Sequence, residues 1–397
     1  MRVAISPDLR WSPVAAPDEP ASAMLDPSGA RVILGDQISA DGLPDPVAPR
    51  PHTMFGPRGV AMVEGGPLFV CDTGHHRLMI WDELPTRDNA PADHVVGQPD
   101  AYHEGRNGHG AVGPATLNMP TGISTDGTIL AVADAWNHRI LIWTSLPTRS
   151  NQPADLVLGQ TDFGGGMANR GGREARSDTL NWCYGVTIAD GRLFVADTGN
   201  RRVLVWNSIP NLTGQPADLV LGQPGMSSRD DNIAGTDSRA GMRWPHTVAV
   251  DDGRILVADA GHNRSMAWTA MPNADGAPCS FVLGQAGVDG VDHNRAGYRP
   301  GSTALNMPYG LLIYDARLLC ADTANSRLVG YPLDGLEMDA AANRLAGQRG
   351  FANKGDNRWR MAARDSMCWP FGLAACGNTL AIADTGNNRV LLWDTVA

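Results

Sequence analysis

The sequence has very little lysine and no paired-cysteine motif, and both absences restrict its chemistry. Lys354 is the only lysine among the 397 residues. Schiff-base catalysis, which requires a lysine amine, is therefore disfavoured. The six cysteines lack Cys-x-x-Cys spacing, and Cys71 and Cys320 occupy equivalent positions in two short apolar runs. This pattern favours buried free thiols over disulfides.

Long apolar runs and excess positive charge are also missing. No run approaches the length needed to span a membrane, and residues 1–7 lack the long apolar segment of a signal peptide. We therefore expect a cytoplasmic protein that does not enter the membrane. The net charge of −10 disfavours nonspecific attraction to nucleic acids or acidic lipids.

Motifs of common enzymes are absent as well. There is no Gly-x-Ser-x-Gly nucleophile elbow, no phosphate-binding loop and no dinucleotide-binding fingerprint. The sequence therefore assigns neither catalytic residues nor a cofactor, and whether the protein is an enzyme stays open at this stage.

What the sequence does contain is a six-fold internal repeat. An aspartate recurs at intervals of 62 or 63 residues, and an arginine follows each aspartate five positions later. A period of this length predicts one supersecondary unit per repeat. The six pairs are Asp72 and Arg77, Asp134 and Arg139, Asp197 and Arg202, Asp259 and Arg264, Asp322 and Arg327, and Asp384 and Arg389.

Each period holds four short apolar runs separated by turn residues, which predicts four strands. The Asp–Arg pair brackets the turn between the second and third strands and is interpreted as a hairpin clamp. Residues 31–35 form an outer strand without partners of their own, while the last repeat stops after its third strand. Closing the ring would pair the strand of residues 31–35 with the third strand of the last repeat, so that neither edge stays exposed. The fold class predicted is all-β, a six-bladed β-propeller of four-stranded antiparallel blades closed by this N-terminal strand.

The repeated Pro-x-Gly lead-in and the Val-Ala-Asp-Thr-Gly-Asn-x-Arg-Val core resemble NHL repeats over residues 31–397. The resemblance implies a propeller but no single activity, because the family includes RNA-binding domains, extracellular sensors and a zinc-dependent peptide-amidating lyase. Thr247, Ala324 and Cys183 depart from the pattern, so local distortion is expected in blades three to five. Residues 1–30 are predicted to be an N-terminal extension that wraps the rim.

The lead-in segments offer the clearest functional signal, because aligned positions there do not repeat their residue. Side chains two apart on an extended segment share a face. We therefore predict a ligand-binding channel mouth with an aromatic lining, one fixed cation and one imidazole. Its predicted residues are Arg58, Thr121, Trp182, Tyr184, Trp244, His246, Met307, Tyr309, Trp369 and Phe371.

Two functions fit this mouth. The first is a binding scaffold for a protein partner or a small ligand with an aromatic body and an anionic end held by Arg58. The alternative is a metal-dependent lyase or hydrolase that uses His246 with histidines of the hairpin turns. The sequence alone assigns no metal ligands. The turn histidines, His75, His76, His138 and His262, are expected to be solvated.

Overall fold

The computed structural model describes residues 21–35, 47–231 and 238–396. The strands within these residues form six separate antiparallel sheets of four strands, one sheet carrying a fifth, parallel strand. The inner strand of each sheet lines a central channel. The predicted six-bladed β-propeller is confirmed, and its first three blades are built from consecutive strands. From the inner to the outer strand, these are Val60–Met62, Leu68–Asp72, Arg77–Trp81 and His94–Val96; Pro120–Thr125, Leu130–Asp134, Arg139–Trp143 and Leu156–Leu158; and Cys183–Ala189, Arg192–Asp197, Arg202–Trp206 and Leu219–Leu221.

The remaining three blades follow the same plan, except that the N-terminal segment contributes to two of them. Blade 4 comprises Pro245–Asp251, Arg254–Asp259, Arg264–Trp268 and Phe281–Leu283; blade 5 comprises Pro308–Tyr314, Arg317–Asp322, Arg327–Pro332 and Arg344–Ala346, with Ser22–Ala23 added outside; and blade 6 comprises Pro370–Cys376, Thr379–Asp384, Arg389–Asp394 and Val32–Leu34.

Short 3-10 helices occupy the turns that carry the clamps and the loops between blades. The clamp-turn helices are Thr73–His75, Ala135–Asn137, Thr198–Asn200, Ala260–His262, Thr323–Asn325 and Thr385–Asn387; those of the inter-blade loops are Arg106–His109, Ala168–Gly171, His293–Ala296 and Asp356–Trp359. No helix in the described ranges is long and apolar enough to cross a membrane.

The N-terminal segment closes the ring. Val32–Leu34 pairs antiparallel with Arg389–Asp394, which completes blade 6 as predicted. Ser22–Ala23 pairs in parallel with the outer strand of blade 5, and the Trp393 indole donates a hydrogen bond to the Asp26 carbonyl. Residues 21–30 thus link the outer edges of two blades. For residues 1–20, the predicted wrapping of the rim lies outside the described residues.

Each Asp–Arg pair is a buried hub of hydrogen bonds. In blade 3, Asp197 accepts hydrogen bonds from the Arg202 side chain at 2.7 Å, from the Asn200 amide group and from the Asn181 backbone amide. The carboxylate therefore bonds the lead-in segment as well as the hairpin that the pair brackets. All six Asp–Arg nitrogen–oxygen distances fall between 2.7 and 3.0 Å. Because they bind loop, turn and strand together, the clamps fix the geometry of the channel mouth.

The inner strands approach one another so closely that glycine is required where they meet. A Cβ on Gly185 would lie 1.8 Å from the His246 carbonyl oxygen, and one on Gly310 would lie 1.9 Å from that of Phe371. Thr247 breaks this pattern in blade 4, and its hydroxyl donates a hydrogen bond to the Tyr309 carbonyl. Side chains beside these glycines are therefore forced around a narrow channel.

The distortion expected in blades three to five is not particular to them, because the pairing of the two inner strands shifts register after the lead-in in blades 2 to 6 alike. Cys183 pairs with Asp197, just as Pro245 pairs with Asp259 and Pro308 with Asp322. The clamp keeps the first residue of the inner strand opposite the clamp aspartate. Its carboxylate accepts a hydrogen bond from a lead-in backbone amide, which does not depend on the side chain at the next positions.

Candidate functional site

The six non-repeating inner-strand residues converge on the channel axis. They line one cavity of about 550 Å³ together with the close-packed glycines and the aliphatic residues deeper in the channel. The repeat explains the convergence, because every clamp places its own lead-in at the same height in its blade. The six residues are Arg58, Thr121, Tyr184, His246, Tyr309 and Phe371.

Four of these side chains form a continuous aromatic wall across blades 3 to 6. The Tyr184 and His246 rings stack with centroids 5.2 Å apart and an interplanar angle of 5°. The next centroid distances are 4.2 Å from His246 to Tyr309 and 4.4 Å from Tyr309 to Phe371. Aromatic pairs at such separations attract one another beyond simple burial. The wall is therefore a rigid, preformed surface.

Arg58 supplies the fixed positive charge of the channel. Its guanidinium carbon lies 5.0 Å from the Phe371 ring centroid and 5.7 Å from that of Tyr184, within the range of cation–π attraction. Among the described residues no carboxylate forms an ion pair with Arg58, and its guanidinium donates no hydrogen bond to the protein. The charge is held in place by rings and remains available to an anion.

A second cavity, of about 810 Å³, opens above this ring and forms the mouth. Arg58, Tyr184, His246, Tyr309 and Phe371 line both cavities, so they are at once the floor of the mouth and the roof of the channel. The upper walls come from the lead-ins and one clamp turn. They are Trp182, Trp244, Thr198, Gly199 and Arg201.

Three of the ten predicted residues do not line the cavity of the mouth. Thr121 is buried in the channel, and its hydroxyl donates to the Tyr184 carbonyl at 2.9 Å. Met307 and Trp369 line neither cavity, although Trp369 is 52% exposed. The structure therefore assembles seven of the ten residues at the mouth, and their role in ligand binding stays a prediction.

His246 is a neutral group in this wall. Its Nδ1 lies 2.9 Å from the Trp244 carbonyl oxygen, which can only accept, so Nδ1 carries the proton. Crowding by the neighbouring rings disfavours the imidazolium, Arg58 repels it, and together they lower the pKa of His246 to about 4. At neutral pH the positive charge of the floor therefore comes from Arg58. Burial raises the pKa of Tyr309, so its hydroxyl stays protonated and can donate.

The lead-in residues are not extended, which corrects the reasoning behind their prediction. Met119, Trp182, Met307 and Trp369 have φ between 47° and 54°, and Gly56 has φ of 56°. In each case the backbone amide donates to the side chain that ends the preceding blade's clamp turn. These acceptors are His76 for Met119, His138 for Trp182, Asn263 for Met307, Ser326 for Trp369 and Asn388 for Gly56.

Neutral histidine is required for two of these bonds. Burial lowers the pKa of His138 to about 4 and also lowers the pKa of His76. Each Nδ1 therefore keeps the lone pair that accepts the next blade's amide.

The junction between blades 3 and 4 lacks such an acceptor, and the cavity of the mouth extends to it. The equivalent turn residue is Arg201, whose side chain has donors only. The Trp244 amide instead lies 3.3 Å from an Asp259 carboxylate oxygen, and Trp244 has no left-handed φ. Arg201 and Trp244 both line the mouth. Sequence reasoning missed Arg201, although it is the only turn-ending residue of the six without a hydrogen-bond acceptor in its side chain.

Replacing Arg201 with asparagine should remove this asymmetry. The new amide oxygen would accept the Trp244 amide, as Asn263 accepts that of Met307 at 2.9 Å. We expect Trp244 to take up a left-handed φ near those of Trp182 and Met307, 47° and 49°, and the mouth to narrow. A crystal structure of Arg201→Asn provides the measurement. An unchanged Trp244 backbone would show that the missing acceptor is not the cause.

The histidines needed for a metal site are not brought together. The His75 and His262 side chains are buried, with Nδ1 at 2.8 Å from Asp72 and 2.7 Å from Asp259, so their predicted solvation is wrong. In the part of the chain that the structure describes, no group of three or more His, Cys, Asp or Glu residues is placed to hold a metal ion. The turn histidines act as clamp partners and backbone acceptors.

Comparisons with known proteins agree with this architecture. The NHL repeat family model matches residues 242–264, which contain Trp244 and the blade 4 clamp. The chain is 31% identical over 108 residues to NHL repeat-containing protein 2 of Gallus gallus, a match that covers 27% of this chain and 13% of that protein's length.

Similar solved structures include a structural genomics protein of unknown function from Bacteroides thetaiotaomicron, with a TM-score of 0.52, 10% identity, and coverage of 93% of this chain and 75% of that chain. The WD40 β-propeller domain of Doa1 has a TM-score of 0.46 at 8% identity and covers 92% of this chain and 96% of its own. At these identities the likeness concerns the fold alone. The family-model match at residues 242–264, the related sequence and the six clamped blades together support an NHL-repeat β-propeller.

Proposed function

We propose that the protein is a binding scaffold whose channel mouth recognises a small ligand with a planar apolar body and one anionic group. The observation that carries the proposal is the guanidinium of Arg58, which has no carboxylate partner among the described residues and is held between the Tyr184 and Phe371 rings at the floor of an open cavity. A cation that is oriented by rings and not neutralised by a carboxylate favours an anionic ligand.

The electrostatics of the floor support one anionic group. Arg58 is the fixed charge there, while His246 is neutral above a pH of about 4. No Asp or Glu belongs to the residues lining either cavity. A carboxylate at this point can accept two parallel hydrogen bonds from the guanidinium, a geometry that lysine could not provide.

The shape of the mouth supports the planar apolar body. The volume open to the centres of ligand atoms is about 330 Å³, at the lower end of the range of small-molecule sites, roughly 300–1,000 Å³. The aromatic wall offers a flat surface, and Trp182 and Trp244 stand above it with 45% and 43% exposure. A protein partner that inserts one aromatic, anionic segment would present the same chemistry. We also place the protein in the cytoplasm, where its six cysteines, none of which forms a disulfide, would remain reduced.

Calorimetric titration with indole-3-acetate and its neutral amide tests the proposal. Because the carboxylate would form charge-assisted hydrogen bonds with Arg58, we expect the acid to bind at least about 10-fold more tightly than the amide. In Arg58→Met, which keeps a long side chain without the charge, this preference should disappear. The matched control is Arg149→Met, which removes an exposed arginine from the opposite face.

Two results would count against the mouth as the site. One is that Arg58→Met still binds indole-3-acetate more tightly than the amide. The other is that Arg149→Met loses this preference to the same extent as Arg58→Met. If neither compound binds but aromatic, acidic peptides bind in an Arg58-dependent way, the ligand is a segment of a protein partner.

A further inference from the structure

A second feature of the loop-rich face lies in the loop between blades 5 and 6, away from the channel mouth. A cavity of about 490 Å³ there is lined by Arg349, Lys354, Arg358 and Arg360, with Trp359 beside them. None of its lining residues belongs to the mouth. We propose that this cavity, the blade 5–6 pocket, binds a phosphorylated ligand with a planar ring, of the nucleoside diphosphate type.

The cations of this pocket are additions to the repeat. Counted from the glycine of each Gly-Gln pair, the positions of Arg349, Lys354 and Arg360 carry no positive charge in the loops that follow blades 1, 2 and 4, and after blade 3 only the Lys354 position does, as Arg229. A residue required by the fold would be expected to recur in those loops, as the clamp does. The corresponding residues are Pro99, Glu104 and Gly110, then Thr161, Gly166 and Gly172, and then Ala286, Val291 and Gly297.

Three of the four cations remain available to a ligand. Arg358 is paired with Asp365, and the equivalent Arg170 is paired with Asp178, so this position is structural. In the described residues no ion pair engages the other three. The Lys354 ammonium lies over the Tyr298 ring at 4.0 Å from its centroid, which orients the charge without neutralising it. Arg349 lowers the pKa of Asp365 from a distance but, within the described ranges, forms no ion pair with it, so three cations around one cavity still favour a ligand with several negative charges.

Trp359 supplies the planar surface, and its backbone conformation is costly. It has φ of 60°, a left-handed conformation that bulky residues rarely adopt. The equivalent residues His109, Gly171 and Ala296 are also left-handed, so this conformation belongs to the loop, and the large indole is what distinguishes Trp359. The indole lies against Gly355, where a Cβ would be 2.3 Å from the ring, and Trp359 is nevertheless 76% exposed. An exposed tryptophan held against the backbone is typical of a binding surface rather than of a core.

Ring and cations together specify the ligand class. An aromatic face binds a nucleobase by stacking, while guanidinium and ammonium groups bind phosphate oxygens. A diphosphate has a charge that roughly matches three cations, and the pocket is open enough for the base to lie outside it against the exposed face of Trp359.

Isothermal titration of the full chain with ADP, adenosine and pyrophosphate tests the proposal. We expect ADP to bind at least about 10-fold more tightly than either fragment, because each fragment uses only half of the pocket. Trp359→Gly should weaken the affinity for ADP by about 10-fold while leaving the affinity for pyrophosphate unchanged. Its melting temperature should not fall, since glycine tolerates the left-handed backbone. Arg360→Ala should weaken both ADP and pyrophosphate.

Two controls isolate the pocket. Arg149→Ala removes an exposed charge on the opposite face, and Arg58→Met disables the channel mouth, so both should leave ADP affinity unchanged. Failure of ADP to bind, or an ADP affinity insensitive to Trp359→Gly and Arg360→Ala, would overturn the proposal. Tighter binding of a single-stranded RNA oligonucleotide than of ADP would also overturn it in favour of a polymeric ligand.

Discussion

Replacing Arg202 with methionine is expected to destabilise the protein by about 3–5 kcal/mol, because it leaves a buried carboxylate without its countercharge. Arg202 and Asp197 are both fully buried and joined by a 2.7 Å ion pair. The Arg202 guanidinium also donates to the carbonyls of Met226, Arg176 and Thr179. Methionine fills a similar volume but satisfies none of these four acceptors.

The stability lost in Arg202→Met should increase as the pH rises. Burial already raises the pKa of Asp197, against the opposing charge of Arg202 and the hydrogen bonds from Asn200 and Asn181. Without Arg202 that pKa rises further above its unfolded value of about 3.9. The folded carboxyl then holds a proton that the unfolded chain releases, so stability falls as pH rises through that window. We expect the deficit of Arg202→Met to be smaller at pH 5 than at pH 8.

Urea denaturation followed by tryptophan fluorescence at both pH values is the measurement. The control is Arg31→Met, which removes one partner of an exposed ion pair with Asp394 at 3.2 Å. Exposed pairs contribute about 0–1 kcal/mol, so this variant should change little. Equal losses in the two variants would show that the clamp is not the main constraint on the blades.

Replacing Gly185 with alanine is expected to cost about 3 kcal/mol or more, because the added methyl group would overlap a backbone atom of the next blade. The ideal Cβ position is 1.8 Å from the His246 carbonyl oxygen. Backbone cannot rotate away as a flexible side chain can, so inner strands must separate. The aromatic wall should be disturbed as well, since Tyr184 and His246 flank this contact.

The matched control is Gly225→Ala. No atom lies within 4 Å of its added Cβ, and its φ is not left-handed. Its stability should therefore stay within about 0.5 kcal/mol of the wild type. Differential scanning calorimetry of both variants measures the contrast. A Gly185→Ala protein as stable as the control would mean that the inner strands have room to separate.

The six-bladed fold could be predicted from the sequence because the same blade, with the same Asp–Arg clamp, occurs six times. An aspartate and an arginine that lie five residues apart and bracket one turn are brought into contact. Asp197 and Arg202 therefore predict both the hairpin and the ion pair. The third clamp member was missed. It is Asn200 in blade 3 and His262 in blade 4, and the two were not recognised as equivalent donors.

The mouth could be predicted only in part, because its shape depends on backbone geometry that has no simple period. Non-repetition identified Arg58, Tyr184 and His246 correctly as neighbours on the channel axis. The assumption of an extended lead-in failed, since hydrogen bonds between blades hold that segment in a left-handed conformation. The exception at Trp244, which lines the mouth without a left-handed φ, depends on a missing acceptor in another blade, at Arg201.

A crystal structure of the protein with indole-3-acetate tests most directly whether the non-repeating mouth is a recognition site. The proposed function predicts the indole against the wall formed by Tyr184, His246 and Tyr309, with the carboxylate within hydrogen-bonding distance of the Arg58 guanidinium. A carboxylate directed to solvent, or a ligand bound elsewhere while the mouth stays empty, would contradict it.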